Sequence, residues 1–219
     1  MADPLDRMRD QWDAMARRNA FYGVVSWPEF QALDQVDREK FWETGRKEAD
    51  LFLSRLNLAD TASWSMVEIG CGLGRMTQRF AERFGRVHAV DVSPEMLGRA
   101  RSQWSHLQNV EFILGHGNDF PGVADRSMDF VFSFIVLQHV PDPQIVKDYL
   151  RETARVLKPG GLAYLQFRTD VQTFPQHQSL FFRAYRALTH PRRATRTLLA
   201  QLRARVLPAR TGAASSTGT

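Results

Sequence analysis

Glu68, Gly70, Gly72 and Gly74 stand at every second position of the stretch Met66-Val67-Glu68-Ile69-Gly70-Cys71-Gly72-Leu73-Gly74. Glycine carries no Cβ, so such a turn lets bare backbone lie against a polar ligand. Asp91 ends the next apolar run. A carboxylate at a strand end can accept both hydroxyl hydrogens of a ribose. Its structural alternative is an acid that favours a helix N-terminus. His139 is the candidate for acid–base work, because an imidazole ordinarily titrates close to neutral pH. Cys71 lies between two of the glycines. Burial and packing are expected of it rather than nucleophilic chemistry, since a turn of this kind works through its backbone.

These groups need elements to hold them. Met66–Ile69 is a short β-branched run that reads as a strand, and Met76, Phe80 and Phe84 recur behind the turn at helical spacing. Further strands are expected at 86–91, 110–114, 128–134 and 161–168. Helices are expected at 74–84, 94–105 and 144–157. Ser93 and Pro94 signal the start of one helix, and Pro159-Gly160-Gly161 ends another. Strands alternating with helices over short links predict an α/β fold, a doubly wound and mostly parallel sheet with helices on both faces. In such sheets ligands bind beyond the carboxyl ends of the strands, where strand order reverses. Gly70–Gly74, Asp91, Gly115–Asp119 and Ser133 onward all fall at such ends.

Ahead of this core, residues 4–19 read as an amphipathic helix, 21–30 as an irregular aromatic crossing and 36–57 as a long helix. Trp12, Phe21, Tyr22, Trp27, Phe30 and Trp42 make the first fifty residues rich in aromatics, and one or two of these rings are expected at the ligand. Four segments follow: N-terminal helices or lid over 1–60, a ligand-binding core over 61–170, a basic helical segment over 171–210, and a disordered tail over 211–219.

The chain has 219 residues, 43% hydrophobic and 24% charged, which suits one globular domain. Its net charge of +5 is unevenly placed. No Asp or Glu follows Asp170, while eight of the 29 basic residues do. The body is mildly acidic and the tail strongly basic. One cysteine excludes an internal disulfide and a cysteine metal cluster. No apolar run approaches the roughly 18 residues of a membrane span, and no signal peptide is visible. The expected location is cytoplasmic, with no metal.

A dinucleotide fingerprint wants glycine at its first, third and sixth positions. Here the sixth is Arg75 and a glycine falls fifth, at Gly74. Glu68-x-Gly70-x-Gly72-x-Gly74 resembles motif I of the class I, Rossmann-like S-adenosylmethionine-dependent methyltransferases, in particular the type 11-like small-molecule group. Met128–Phe134 resembles motif IV, Leu137–Asp142 the segment after it, and Arg155-Val156-Leu157-Lys158-Pro159-Gly160-Gly161 the turn that delivers the chain to the fifth strand. The resemblance covers about residues 64–168. It implies S-adenosyl-L-methionine as cofactor, released as S-adenosyl-L-homocysteine, with contacts from Glu68, Gly70, Cys71, Gly72, Gly74, Arg75, Asp91, Val92, Met96, Gly117, Asn118, Asp119, Ser133 and Phe134. Glu68 would stand near the aminoacyl end, or alternatively hold the turn through loop amides. Arg75 would answer the cofactor carboxylate or Glu68, or lie at the surface. His116 stands where the family more often has Asp or Asn, which shifts the adenine contact to Asn118, Asp119 or main-chain groups. His139 would face the methyl group or shape the pocket. His88, inside a strand, is expected to be structural.

The implied reaction is attack by a small-molecule O, N, S or C atom on the sulfonium methyl. The competing reading is a non-catalytic S-adenosylmethionine binder or pseudoenzyme, and the glycine spacing disfavours a nucleotide-linked oxidoreductase. Similar enzymes complete a seven-stranded sheet with a hairpin after the fifth strand, and none is recognisable here. Three explanations stay open: a basic helical module for an anionic partner, carrier protein or membrane surface, strands supplied by a second copy in a homodimer, or an altered end. Nucleic acid has only charge in its favour.

Overall fold

The computed structural model describes residues 3–32, 36–140 and 142–167. The expected basic segment at 171–210 and the tail at 211–219 lie outside them, as does any hairpin after the fifth strand.

In chain order the elements are α1 (Pro4–Val24), a 3-10 turn (Pro28–Phe30), α2 (Arg38–Arg55), β1 (Ser65–Ile69), α3 (Thr77–Arg83), β2 (Arg86–Asp91), α4 (Pro94–Gln103), β3 (Val110–Leu114), β4 (Met128–Ser133), a second 3-10 turn (Leu137–His139), α5 (Pro143–Val156) and β5 (Leu157–Leu165). The strands form one sheet in the order β3-β2-β1-β4-β5, each neighbouring pair parallel. This is the doubly wound α/β sheet that strand–helix alternation predicts.

Both faces of the sheet are packed, with the period of two that a strand imposes. Val67, Ile69, Val90 and Val131 pack with Ile145, Tyr149 and Val156 of α5. Met66, Val87, Phe130 and Phe132 pack with Phe80 of α3 and with Ala49, Phe52 and Leu53 of α2. Phe52 meets Phe132 at 5.4 Å and Tyr164 at 5.0 Å between ring centroids. Burying one such ring is worth roughly 2–3 kcal/mol. Helix α2 is therefore part of the core.

The helices begin where local chemistry starts them. Ser93 Oγ accepts from the amide of Met96, and Asp142 Oδ1 from that of Gln144. The expected helix over 74–84 starts only at Thr77, because Gly74 has φ 76°, in the left-handed region. The expected crossing at 21–30 is helical as far as Val24, after a break at Asn19 (φ −163°, ψ 94°). The Asn19 side chain holds that break by donating to the carbonyls of Phe30 and Gln31. Strand β5 begins at Leu157, ahead of the expected 161. Leu157 faces Met128 and Leu162 faces Phe130, so residues 158–161 bulge from the ladder, with Gly160 at φ 82°.

Candidate functional site

Strand order reverses between β1 and β4, and a crevice opens over their carboxyl ends, as expected of an open parallel sheet. It encloses about 970 Å³ of empty space, part of it open to solvent.

Its floor is the turn after β1. The amides of Gly70 and Cys71 both donate to the Val90 carbonyl, at 2.8 and 3.0 Å, which lashes the turn to β2. Gly70 and Gly72 have φ of 72° and 54°. A Cβ on Gly70 would stand 2.3 Å from Val136, and one on Gly72 2.8 Å from Val24. Gly74 is different. It lies off the crevice lining, and a Cβ there would meet the Trp104 ring at 2.7 Å. Its role is to seat Trp104, whose indole N–H donates to the Leu73 carbonyl.

Asp91 joins two loops. Its Oδ2 accepts from the Gly72 amide at 2.8 Å and its Oδ1 from the Ser93 amide at 2.9 Å. Burial pushes its carboxyl above the usual range, against the pull of those amides and that of Val92. A carboxylate has about four acceptor positions, so two bonds leave capacity for ligand hydroxyls.

Glu68 is 4% exposed and lines the crevice, accepting from the Thr77 hydroxyl at 2.5 Å. Burial pushes its pKa up to about 8, despite the Thr77 bond and the nearby Arg75 charge. Arg75 is not paired with Glu68. Its guanidinium bonds Glu48 Oε2 at 2.6 Å and Thr44 Oγ1 at 3.1 Å, both on α2. The sequence could not offer this pairing, because Glu48 is 27 positions away. Arg75 precedes α3 rather than opening it. Its Nε is buried without a hydrogen-bond partner among the described residues. Cys71 is buried, and burial and the Asp91 charge lift its thiol well above the ordinary value. It lines the crevice as a packed side chain.

Of the N-terminal elements, α1 is the one that lines the crevice. Met8, Trp12, Gly23 and Val24 reach the crevice from it. Of the aromatic residues singled out in the N-terminal fifty, only Trp12 is on the lining. Asp13 ties α1 to the start of α4, since its Oδ1 accepts from Ser93 Oγ at 2.6 Å and from the Glu95 amide at 3.0 Å. This carboxylate was not recognised from sequence. It sits on the inner face of α1, eighty positions before Ser93.

Val92, Met96, Phe134 and His139 also line the crevice. His139 packs edge-on against Trp12 at 5.6 Å, and its Nε2 lies 3.1 Å from Gln138 Nε2. Gly117, Asn118, Asp119 and Ser133 lie off the lining. A Cβ on Gly117 would meet Met8 and Leu5, so α1 covers that loop. Asp119 is engaged locally by the amide and ring nitrogen of His116. Ser133 is fully buried in β4. His88 is buried in β2 beside Glu111 at 3.2 Å, and burial lowers its pKa, as suits a structural histidine.

Beyond β4, Ile135 has φ 59°. A β-branched residue in that region costs roughly 1–2 kcal/mol and marks an imposed conformation. Its amide donates to the Gln166 side-chain oxygen at 2.7 Å.

Residues 66–161 match the family described as a methyltransferase domain. Mouse thiol S-methyltransferase TMT1B is 34% identical over 63% of this chain and 56% of its own length. A ubiquinone biosynthesis O-methyltransferase of Xanthomonas oryzae is 33% identical over 53% of this chain and 46% of its own. The chain thus spans about half the length of these curated relatives. The structure of Haemonchus contortus phosphoethanolamine N-methyltransferase 1, with phosphoethanolamine and S-adenosylhomocysteine, superposes with a TM-score of 0.60 at 19% identity, over 80% of this chain and 36% of that one. That likeness is one of fold. Residues 66–161 thus match a methyltransferase domain, and the sheet around them has the Rossmann-like fold.

Proposed function

We propose that this protein transfers a methyl group from S-adenosylmethionine to a small-molecule acceptor. The observation that carries the reading is the Asp91–Gly72 bond, which sets a carboxylate and a glycine turn together at the lip of one crevice. The residues suit the cofactor. The free acceptor positions of Asp91 match ribose hydroxyls, and Val92 and Met96 offer apolar surface to a base beside it. The backbone of Gly70–Gly72 runs along the floor. Arg75 supplies a positive charge for a carboxylate, its orphaned Nε being a donor in want of an acceptor, and the Glu68 carboxyl offers oxygens to an ammonium, whose charge would favour ionising it.

The bound cofactor supplies an electrophilic methyl carbon with a neutral thioether as leaving group. The work of the chain is alignment, which can be worth roughly 7–11 kcal/mol. His139, on the crevice lining, is the residue assigned to take a proton from an alcohol or amine acceptor, whereas an already ionised acceptor needs no base. The relatives named for thiol and ubiquinone chemistry support a small acceptor. We assign the reaction to the cytosol.

Calorimetry with S-adenosylmethionine, S-adenosylhomocysteine and NAD tests the cofactor. Binding of the first two and not of NAD is expected, and the opposite pattern overturns the assignment. Labelled methyl transfer to a panel of thiols, phenols and amines tests catalysis. Cofactor binding without any transfer would favour the non-catalytic reading.

A further inference from the structure

The crevice is chemically divided. Its carboxyl and guanidinium groups stand on the side of β1 and β2: Glu68 near the end of β1, Arg75 in the turn that follows it, and Asp91 at the end of β2. β4 lies on the other side of β1, and the lining there comes from the turn that follows it: Phe134, Ile135, Val136, His139 and Val140, with Trp12 laid across from α1. Among the lining residues of this turn His139 is the only titratable group; Tyr149 of α5, also on the lining, lies near Asp91. Tyr149 is held protonated by burial and the nearby Asp91 and Asp119 charges. None of the described residues of this turn carries a fixed charge to meet a charged acceptor, and desolvating an unpaired charge against such a wall is costly.

One residue of this wall is held against its own preference. Ile135 is left-handed, yet β-branched and 40% exposed on the lining. Packing alone does not explain a strained apolar side chain left open to the crevice. Gln166, just past β5, fixes the conformation by accepting the Ile135 amide. Strain kept in this way marks sites where a side chain must point at a ligand.

We propose that the acceptor met by the turn after β4 is an uncharged apolar molecule and that Ile135 is its specificity wall, with Gln166 as a positioning residue. The inference rests on the methyltransferase reading. In the reaction it serves, the acceptor X–H bond breaks and an X–CH3 bond forms as the methyl–sulfur bond breaks. The bonding pair stays on sulfur, and the proton leaves to His139 or to solvent.

The test is equilibrium binding at neutral pH to the full chain loaded with S-adenosylhomocysteine, using 2-naphthol and its 6-sulfonate. The neutral probe should bind at least tenfold more tightly. Ile135→Gly should weaken it at least fivefold, Ile135→Leu much less, and Gln166→Ala at least threefold. None of the three should change affinity for S-adenosylhomocysteine. Ile135→Gly should also melt at a higher temperature than the parent, because the strain is gone. A merely structural role would leave the binding of the neutral probe unmoved. Equal binding of the two probes, no binding of the neutral one, or an unchanged affinity in Ile135→Gly overturns the proposal. Failure of S-adenosylhomocysteine itself to bind instead overturns the methyltransferase reading on which the inference stands.

Discussion

Asp91 at the tip of β2 accepts the amide of Gly72 at 2.8 Å, so the acid proposed to hold the ligand also holds the turn that carries it. Asn at this position keeps the size but replaces one acceptor oxygen with a donor, which faces either the Gly72 or the Ser93 amide. Asp91→Asn should weaken S-adenosylhomocysteine binding at least tenfold, about 1.4 kcal/mol. Calorimetry would show it, and an unchanged dissociation constant would remove the ribose assignment.

Gly45 sits inside α2, where helix propensity alone favours alanine by about 1 kcal/mol. A Cβ there would stand 2.1 Å from the Arg75 carbonyl oxygen, and backbone cannot yield as a side chain can. Gly45→Ala should therefore destabilise the protein by roughly 2 kcal/mol, the opposite sign to propensity. Urea unfolding measures it. A gain in stability would mean that α2 does not approach the turn so closely.

Glu68 makes stability depend on pH. Its folded pKa is raised to about 8, from an ordinary 4.5. Between those values the folded protein binds the proton that the unfolded chain has released. Stability should fall as pH rises through that window, by up to about 1.4 kcal/mol per unit. Glu68→Gln should flatten this part of the profile. Parallel unfolding profiles for parent and variant between about pH 5 and pH 8 would contradict it.

Asp13 works in the other direction. Burial alone would raise its carboxyl, but bonds from Ser93, Glu95 and Arg17 outweigh that and hold it below the usual value. Its contribution is present above the ordinary carboxylate range and is lost as pH falls through the lowered pKa. Asp13→Ala should cost about 1–2 kcal/mol and expose α1 to protease sooner. Unchanged proteolysis would mean that Asp13 does not secure α1.

Much of the scaffold was legible in the chain. Strands β2 and β3 match their expected limits, and Ser93-Pro94 starts α4 where the capping rule puts it. These features depend on periodicity and caps, which act over a few residues. The limits that moved did so for reasons of packing or register. The left-handed Gly74 delays α3, pairing with β4 draws Leu157 into β5, and the Asn19 side chain, bonded eleven and twelve positions ahead, breaks α1.

The glycine turn, the acid at Asp91 and the strand ends that bring them together were determined by the sequence alone, because each is a local pattern with one favourable geometry. Tertiary structure decided the partners: Glu48 for Arg75, Ser93 for Asp13, Trp104 for Gly74, and Trp12 against His139. Those contacts join residues far apart in the chain. Nothing in a residue's neighbours specifies which distant helix will cover it. That follows only when the two faces of the sheet are buried and α1 comes to rest across the strand tips.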